Sequence, residues 1–203
     1  EEAISSSAKA LLEHDEQLRK KTFDIDAQID QKERDIEGMC LKLLLSQQPV
    51  ARDLRMISSA LKMISDMERI GDQAADIAEI TGYINGMGGQ HRLPIDEMAQ
   101  ATIKMVTDSV QSFVSQDLEL VHAVIAYDDV VDGLFDRVRA QLISLLGADS
   151  ANGGLYLDLL MIAKYFERIG DHATNIAEWV EFSLTGVHAR QTDNKEIKQK
   201  EES

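Results

Sequence analysis

Residues 68–79 read ERIGDQAADIAE and residues 167–178 read ERIGDHATNIAE, with nine of the twelve positions identical at a shift of 99 residues. Self-similarity at a fixed period defines an architecture before local propensity does, because each copy must be one structural unit packed against the other. A second correspondence, at a shift of 102, pairs Asp15 with Asp117, Asp26 with Asp128 and Asp30 with Asp132. The three-residue difference falls in the connection near Pro49. Each half therefore reads as three successive helices, with acids recurring at matched places on the second and third.

The punctuation between the repeats agrees. Pro49, Pro94 and the glycines at 82, 86, 88, 89, 147, 153 and 154 fall between long helix-forming stretches. They delimit expected helices at about 1–13, 16–46, 51–81, 95–115, 118–146 and 155–184, with Asp15 and Asp117 as N-caps and Gly82 and Gly147 just past C-termini. Ile25, Ile29, Ile36, Cys40 and Leu43 recur at helical spacing in the second stretch, and Leu54, Ile57, Leu61, Ile64 and Met67 do so in the third. No window alternates with period two. The fold class expected is all-α, six helices in two pseudo-symmetric three-helix bundles. The first repeat spans 1–84 and the second 85–184, joined through the glycine-rich segment 82–94. The tail, 185–203, carries equal numbers of acids and bases without apolar periodicity and is expected to be disordered.

Composition narrows the function. The 203-residue chain holds 36 acids against 21 Lys plus Arg, a net charge of −15 that repels nucleic-acid phosphate and favours cations or basic partners. One cysteine, Cys40, allows neither an intrachain disulfide nor a multi-thiolate metal site. No run approaches the roughly 18 consecutive apolar residues of a membrane span, so the expected setting is the cytoplasm, with any membrane association peripheral and through partners.

The repeated acids are oddly placed. At about 100° per residue, Glu68, Asp72, Asp76 and Glu79 share one sector about 80° wide. That sector continues the apolar stripe of Ile57, Leu61 and Ile64 on the same helix. In the second half Glu167, Asp171, Asn175 and Glu178 follow Leu160 and Ala163 in the same way. Like carboxylates stacked at i, i+4 repel, and moving them toward a helix interface adds a desolvation cost. Cations bridged by carboxylate oxygens would neutralise them, and oxygen-only ligation favours Fe, Mn, Mg or Ca over thiolate-preferring ions. Asp26 and Asp30, and Asp128 and Asp132, would supply ligands from the preceding helix. The competing explanations are a solvated acidic face, or surface ion pairs made by Arg69 and Arg168. Gly71 and Gly170, mid-helix residues that each cost about 0.8–1 kcal/mol against Ala, call for close approach of a helix or a ligand.

The two copies of E-R-I-G-D-x-A-x-[DN]-I-A-E, with QPVARDLRMISSALKMISDMERIGD at 48–72, closely resemble the PhoU-type phosphate-signalling regulators, over about residues 1–184. The resemblance implies two multinuclear metal sites, often iron, formed by E/D-x-x-x-D motifs. It implies Asp26, Asp30, Glu68 and Asp72 as ligands of one site and Asp128, Asp132, Glu167 and Asp171 of the other, with Asp76, Asn175, Glu79 and Glu178 as weaker correspondences. It further implies a non-enzymatic, cytoplasmic negative regulator, a homodimer, linking the ATPase of a phosphate ABC transporter to a sensor histidine kinase. Family members usually have a longer first helix, so this one is expected to lack its beginning. The Asp76 to Asn175 change removes a charge and argues against two equal sites.

Other signals carry less. Glu119 and His122 have the Glu-x-x-His spacing of di-iron bundles but occur once. His14-Asp15 falls at a helix end, and His172 lies away from the acidic stripe, as an exposed or structural residue. No phosphate-binding glycine loop, nucleophile elbow or Cys/His nucleophile pair is present. The alternatives to a metal-binding adaptor are a carboxylate-bridged metalloenzyme, which needs an open coordination position and a general base, and a metal-free helical scaffold.

Overall fold

The computed structural model describes residues 1–84 and 93–187. Six α-helices follow in order: α1 Glu2–Glu13, α2 Glu16–Gln47, α3 Arg52–Thr81, α4 Ile95–Ser115, α5 Leu118–Ala148 and α6 Gly153–Thr185. A short 3-10 turn, Ser150–Asn152, precedes α6, and no strand occurs among the described residues. Most of the joining segment and the tail from residue 188 lie outside the described residues.

Two of the six helix starts are fixed by matched aspartates. Asp15 Oδ1 accepts from the backbone N–H groups of Gln17 and Leu18 at 2.7 and 3.2 Å, and Asp117 Oδ1 from those of Glu119 and Leu120 at 2.9 and 3.1 Å. Each satisfies N–H groups that the first helical turn leaves without partners. Gly82 is the C-cap of α3. Gly147 is not a terminator: α5 runs on to Ala148, because the Asp149 N–H still reaches the Leu145 carbonyl at 2.8 Å. The stop comes at Asp149, whose carboxylate turns to accept from the Ala151 N–H and the Asn152 side chain.

In each half the third helix is innermost. α3 packs on α1 and α2, α6 packs on α4 and α5, and the broadest contact joins α3 to α6. One apolar core therefore runs through both halves, from Ile4 and Leu11 through Ile70 and Ile77 to Met105, Phe166, Ile169 and Ile176. Small residues buried on the inner helices, Ala74 and Ala78 on α3 and Ala173 and Ala177 on α6, let the axes approach closely. Four buried hydroxyls are satisfied within their own helix: Thr81, Thr102, Ser109 and Ser183 each donate to a carbonyl three or four residues back.

The apolar stripes of α2 and α3 are only partly used. Leu43 and Leu54 lie at the distal end of that hairpin and are 46% and 48% exposed, and Leu45 is 85% exposed. The stripe repeats along the whole length of both helices, whereas α1 reaches only part of them.

Replacing either capping aspartate by alanine should lower stability by about 1 kcal/mol. Urea unfolding checks this as a lower midpoint at unchanged slope; an unmoved midpoint would show that packing alone holds these helix starts.

Candidate metal centre

The two acidic clusters sit in the grooves between α2 and α3 and between α5 and α6. Their geometry explains the mid-helix glycines. A Cβ on Gly71 would stand 2.7 Å from Asp26 Oδ1 and 3.1 Å from Ile29, and one on Gly170 would stand 3.3 Å from Asp128 Oδ1. The glycines are the floor on which the inner carboxylate of each cluster rests. Asp26 Oδ1 is buried there without a hydrogen-bond partner. An orphaned carboxylate oxygen beside other acids costs free energy until a cation or a proton meets it.

The electrostatics show how closely the acids gather. Asp26 has a raised pKa, first through burial and then through Asp30, Asp72 and Asp76. Glu68 is raised by burial and Asp72, with Glu33 and Asp30 adding to the effect. In the second cluster Asp128 is pushed up to about 6, by burial first and then by Asp132 and Asp171. Asp132 is raised by its partial burial and by Glu167. The eight acids implied as principal ligands thus form two sets, each drawing on two adjacent helices.

Their present partners are side chains. Arg69 pairs with Asp72 at 2.7 Å and Glu68 at 3.4 Å, Arg34 approaches Asp30 at 4.0 Å, and Lys164 pairs with Glu167. Held this way, no three His, Cys, Asp or Glu side chains among the described residues converge on one point as metal ligands do. The donor set fits an oxygen-preferring cation, given the orphaned Asp26 oxygen and an excess of acids over bases in both grooves, once these ion pairs open.

Two of the weaker correspondences, Asp76 and Asn175, also have partners across the interface of the halves. Asp76 faces α6: its pKa is raised by burial first and then by Asp72 and Glu79, and the Arg168 guanidinium and Tyr165 hydroxyl of α6 offset part of the rise. Asn175 donates to Asp66 Oδ1 of α3 at 3.2 Å. Under the 99-residue shift Asp66 corresponds to Tyr165 and Asp76 to Asn175, so these are one contact seen twice in an antiparallel crossing of α3 and α6. Glu79 is exposed and Glu178 half-buried, one turn beyond. His172 is structural: its Nδ1 donates to Asp66 Oδ1 at 2.8 Å across the same interface. His122 meets Glu181 at 3.3 Å rather than forming a site with Glu119. His14 is the left-handed C-cap of α1.

Sequence reading passed over Asp66, Glu33 and Lys164. The first two lie on the same helices as the acids it chose. Lys164 stands three residues before the repeat, where Ser65 is its counterpart, and only comparison of the flanking positions would have marked it.

Comparison with known proteins follows the same boundaries. A family model described as the PhoU domain matches residues 1–81 and 95–180. The chain belongs to the PhoU family. It is 33% identical over 190 residues to a phosphate-specific transport system accessory protein PhoU homolog of Clostridium acetobutylicum, covering 92% of this chain and 86% of that protein. It is 32% identical over 192 residues to the homolog so named in Pseudomonas aeruginosa, covering 94% and 79%. The crystal structure of PhoU from Pseudomonas aeruginosa superposes with a TM-score of 0.85 at 32% identity, over 91% of this chain and 90% of that one. The phosphate transport system regulatory protein PhoU from Streptococcus pneumoniae, at 24% identity and a TM-score of 0.83, over 93% and 89%, shares the fold. This PhoU-family chain has no described helix long and apolar enough to cross a membrane.

The raised pKa of Asp128 fixes the sign of a pH effect. A carboxyl whose folded pKa of about 6 exceeds its ordinary value of 3.8 is, as pH rises, charged in the unfolded chain before it is charged in the folded one. Its contribution to stability therefore rises as pH falls through about 6 toward 4 and is lost as pH rises through that window. Chelator-treated protein should gain more thermal stability between pH 7.5 and 5.5 than an Asp128→Asn variant does, and the variant should be the more stable of the two at pH 7.5. Equal pH slopes for the two proteins would contradict the clustering.

Proposed function

We propose that this PhoU-family chain is an accessory regulator of phosphate transport that works through protein contacts rather than turnover. The observation that carries this reading is similarity along 92–94% of the chain to proteins named for accessory service to a phosphate-specific transport system. Its partners in this reading are the ATPase of a phosphate ABC transporter and a sensor histidine kinase, and it acts as a homodimeric negative regulator of the phosphate-starvation response. The setting is cytoplasmic, with attachment to the membrane through the transporter. The net charge of −15 supports association with basic surfaces, since opposite potentials steer encounter and weaken with salt.

The same reading makes the two acidic grooves metal centres. Asp26, Asp30, Glu68 and Asp72 would hold one, and Asp128, Asp132, Glu167 and Asp171 the other, with iron or another oxygen-preferring divalent or trivalent ion. Such an ion supplies positive charge that the clustered carboxylates lack, tying α2 to α3 and α5 to α6. Gly71 and Gly170 keep the inner aspartates at the floor of each groove, where the outer acids, now paired with Arg69 or Lys164, would complete the donor set.

Elemental analysis of purified protein tests the metal assignment. Glu68→Ala or Asp72→Ala should lower metal content at the first cluster, and Glu167→Ala or Asp171→Ala at the second, each with a lower melting temperature for the loaded protein. Gly71→Ala, whose new methyl group displaces Asp26, should lower first-cluster content while preserving the helix. Unchanged metal content in all five variants would remove the assignment. For the adaptor role, capture of the transporter ATPase or the kinase domain should be specific and decline across a salt series. Failure to capture either at low salt would leave the charge a solubilising feature.

A further inference from the structure

The two grooves differ in a feature that neither the repeat motif nor the family similarity addresses. In the second groove Lys164 pairs with Glu167 Oε2, and its ammonium lies 5.4 Å from the centroid of the Phe135 ring.

 The ammonium also offsets part of the rise in pKa that partial burial and neighbouring acids impose on Asp132 and Asp171. One side chain thus faces three of the four acids of its groove.

The first groove has no lysine at the matching place. The 99- and 102-residue shifts place Ser65 where Lys164 stands and Glu33 where Phe135 stands. Ser65 Oγ donates to the Leu61 carbonyl of its own helix at 3.3 Å, and Glu33 adds negative charge beside Glu68. Arg69 serves the first groove from an exposed position, whereas its counterpart Arg168 lies close enough to Asp76 of α3 to lower that residue's pKa. Lys164 is therefore the base that answers the second cluster.

We propose that Lys164 is a built-in competitor for the cation of the second groove, so that an ion enters there only by displacing its ammonium. The inference rests on the metal reading above. A lysine ammonium is a compact point charge on a flexible stem, able to occupy Glu167 when no ion is present and to swing out to solvent when one is. A unit positive charge about 5 Å from a divalent ion, screened as fully as in water, weakens binding by about tenfold. The first groove, with Glu33 and Ser65 in the matching places, carries no lysine to displace.

Equilibrium dialysis with Mn²⁺ on the full chain tests this. In a Glu68→Ala/Asp72→Ala background, which isolates the second groove, Lys164→Gln keeps most of the stem and removes the charge. It should bind Mn²⁺ about tenfold more tightly than its parent. In a Glu167→Ala/Asp171→Ala background, Ser65→Lys should weaken binding to the first groove. Unchanged or weaker binding on Lys164→Gln, in protein of unaltered helicity, overturns the proposal while leaving the metal reading in place. Absence of Mn²⁺ binding from the unsubstituted chain and from Lys164→Gln alike overturns the metal reading and this proposal together.

Discussion

The antiparallel crossing of α3 and α6 is the contact on which the rest of the structure depends. Ala74, Ala78, Ala173 and Ala177 are fully buried, and around them Ile77, Phe166, Ile169 and Ile176 close a core that belongs to both halves. Close-packed interiors tolerate little change in volume, so the axes of the two inner helices are set by these side chains. Polar contacts then mark the register: Asp66 with His172 and Asn175 on one side, and Asp76 with Tyr165 and Arg168 on the other. Because the inner helices are fixed, α2 and α5 have one face each against which to lie, and the acidic grooves form along those seams.

Those grooves set burial against charge. Asp26 and Asp128 rest on glycines that admit them closely, and both have raised pKa values because burial and neighbouring acids disfavour their charged forms. Arg34, Arg69 and Lys164 relieve part of the repulsion from the solvent side. Relief by exposed ion pairs is small in free energy and falls with salt. The clusters are consequently held at a cost that the core carries, a pattern expected where a binding function rather than stability selects the residues.

The duplication is closer in backbone than in chemistry. Helix positions, N-capping aspartates and floor glycines repeat, while the residues around the acids diverge: Ser65 and Lys164, Glu33 and Phe135, Asp76 and Asn175. The last exchange also redistributes the arginines. Arg168 has the carboxylate of Asp76 across the crossing, whereas Arg69 pairs with Asp72 and Glu68 of its own groove. The two clusters thus differ in charge both at the ninth position of the motif and through residues that flank it.

The sequence by itself determined the six helices, their capping aspartates and the pairing of the acids on adjacent helices, because these follow from local periodicity and from an internal repeat that needs no tertiary information. It also located Gly71 and Gly170 as points of close approach, since a mid-helix glycine has a local cost that something must offset. What it could not supply was the partner of each polar side chain. Asp76 and Asn175 share the helical sector of Glu68 and Asp72, yet they turn to the opposite half, and His172 reaches Asp66 more than a hundred residues away. Gly147 lies inside α5 because an ordinary backbone hydrogen bond carries the helix past it. A helical wheel gives the direction of a side chain from its own axis; which neighbour stands in that direction is decided only when the helices pack.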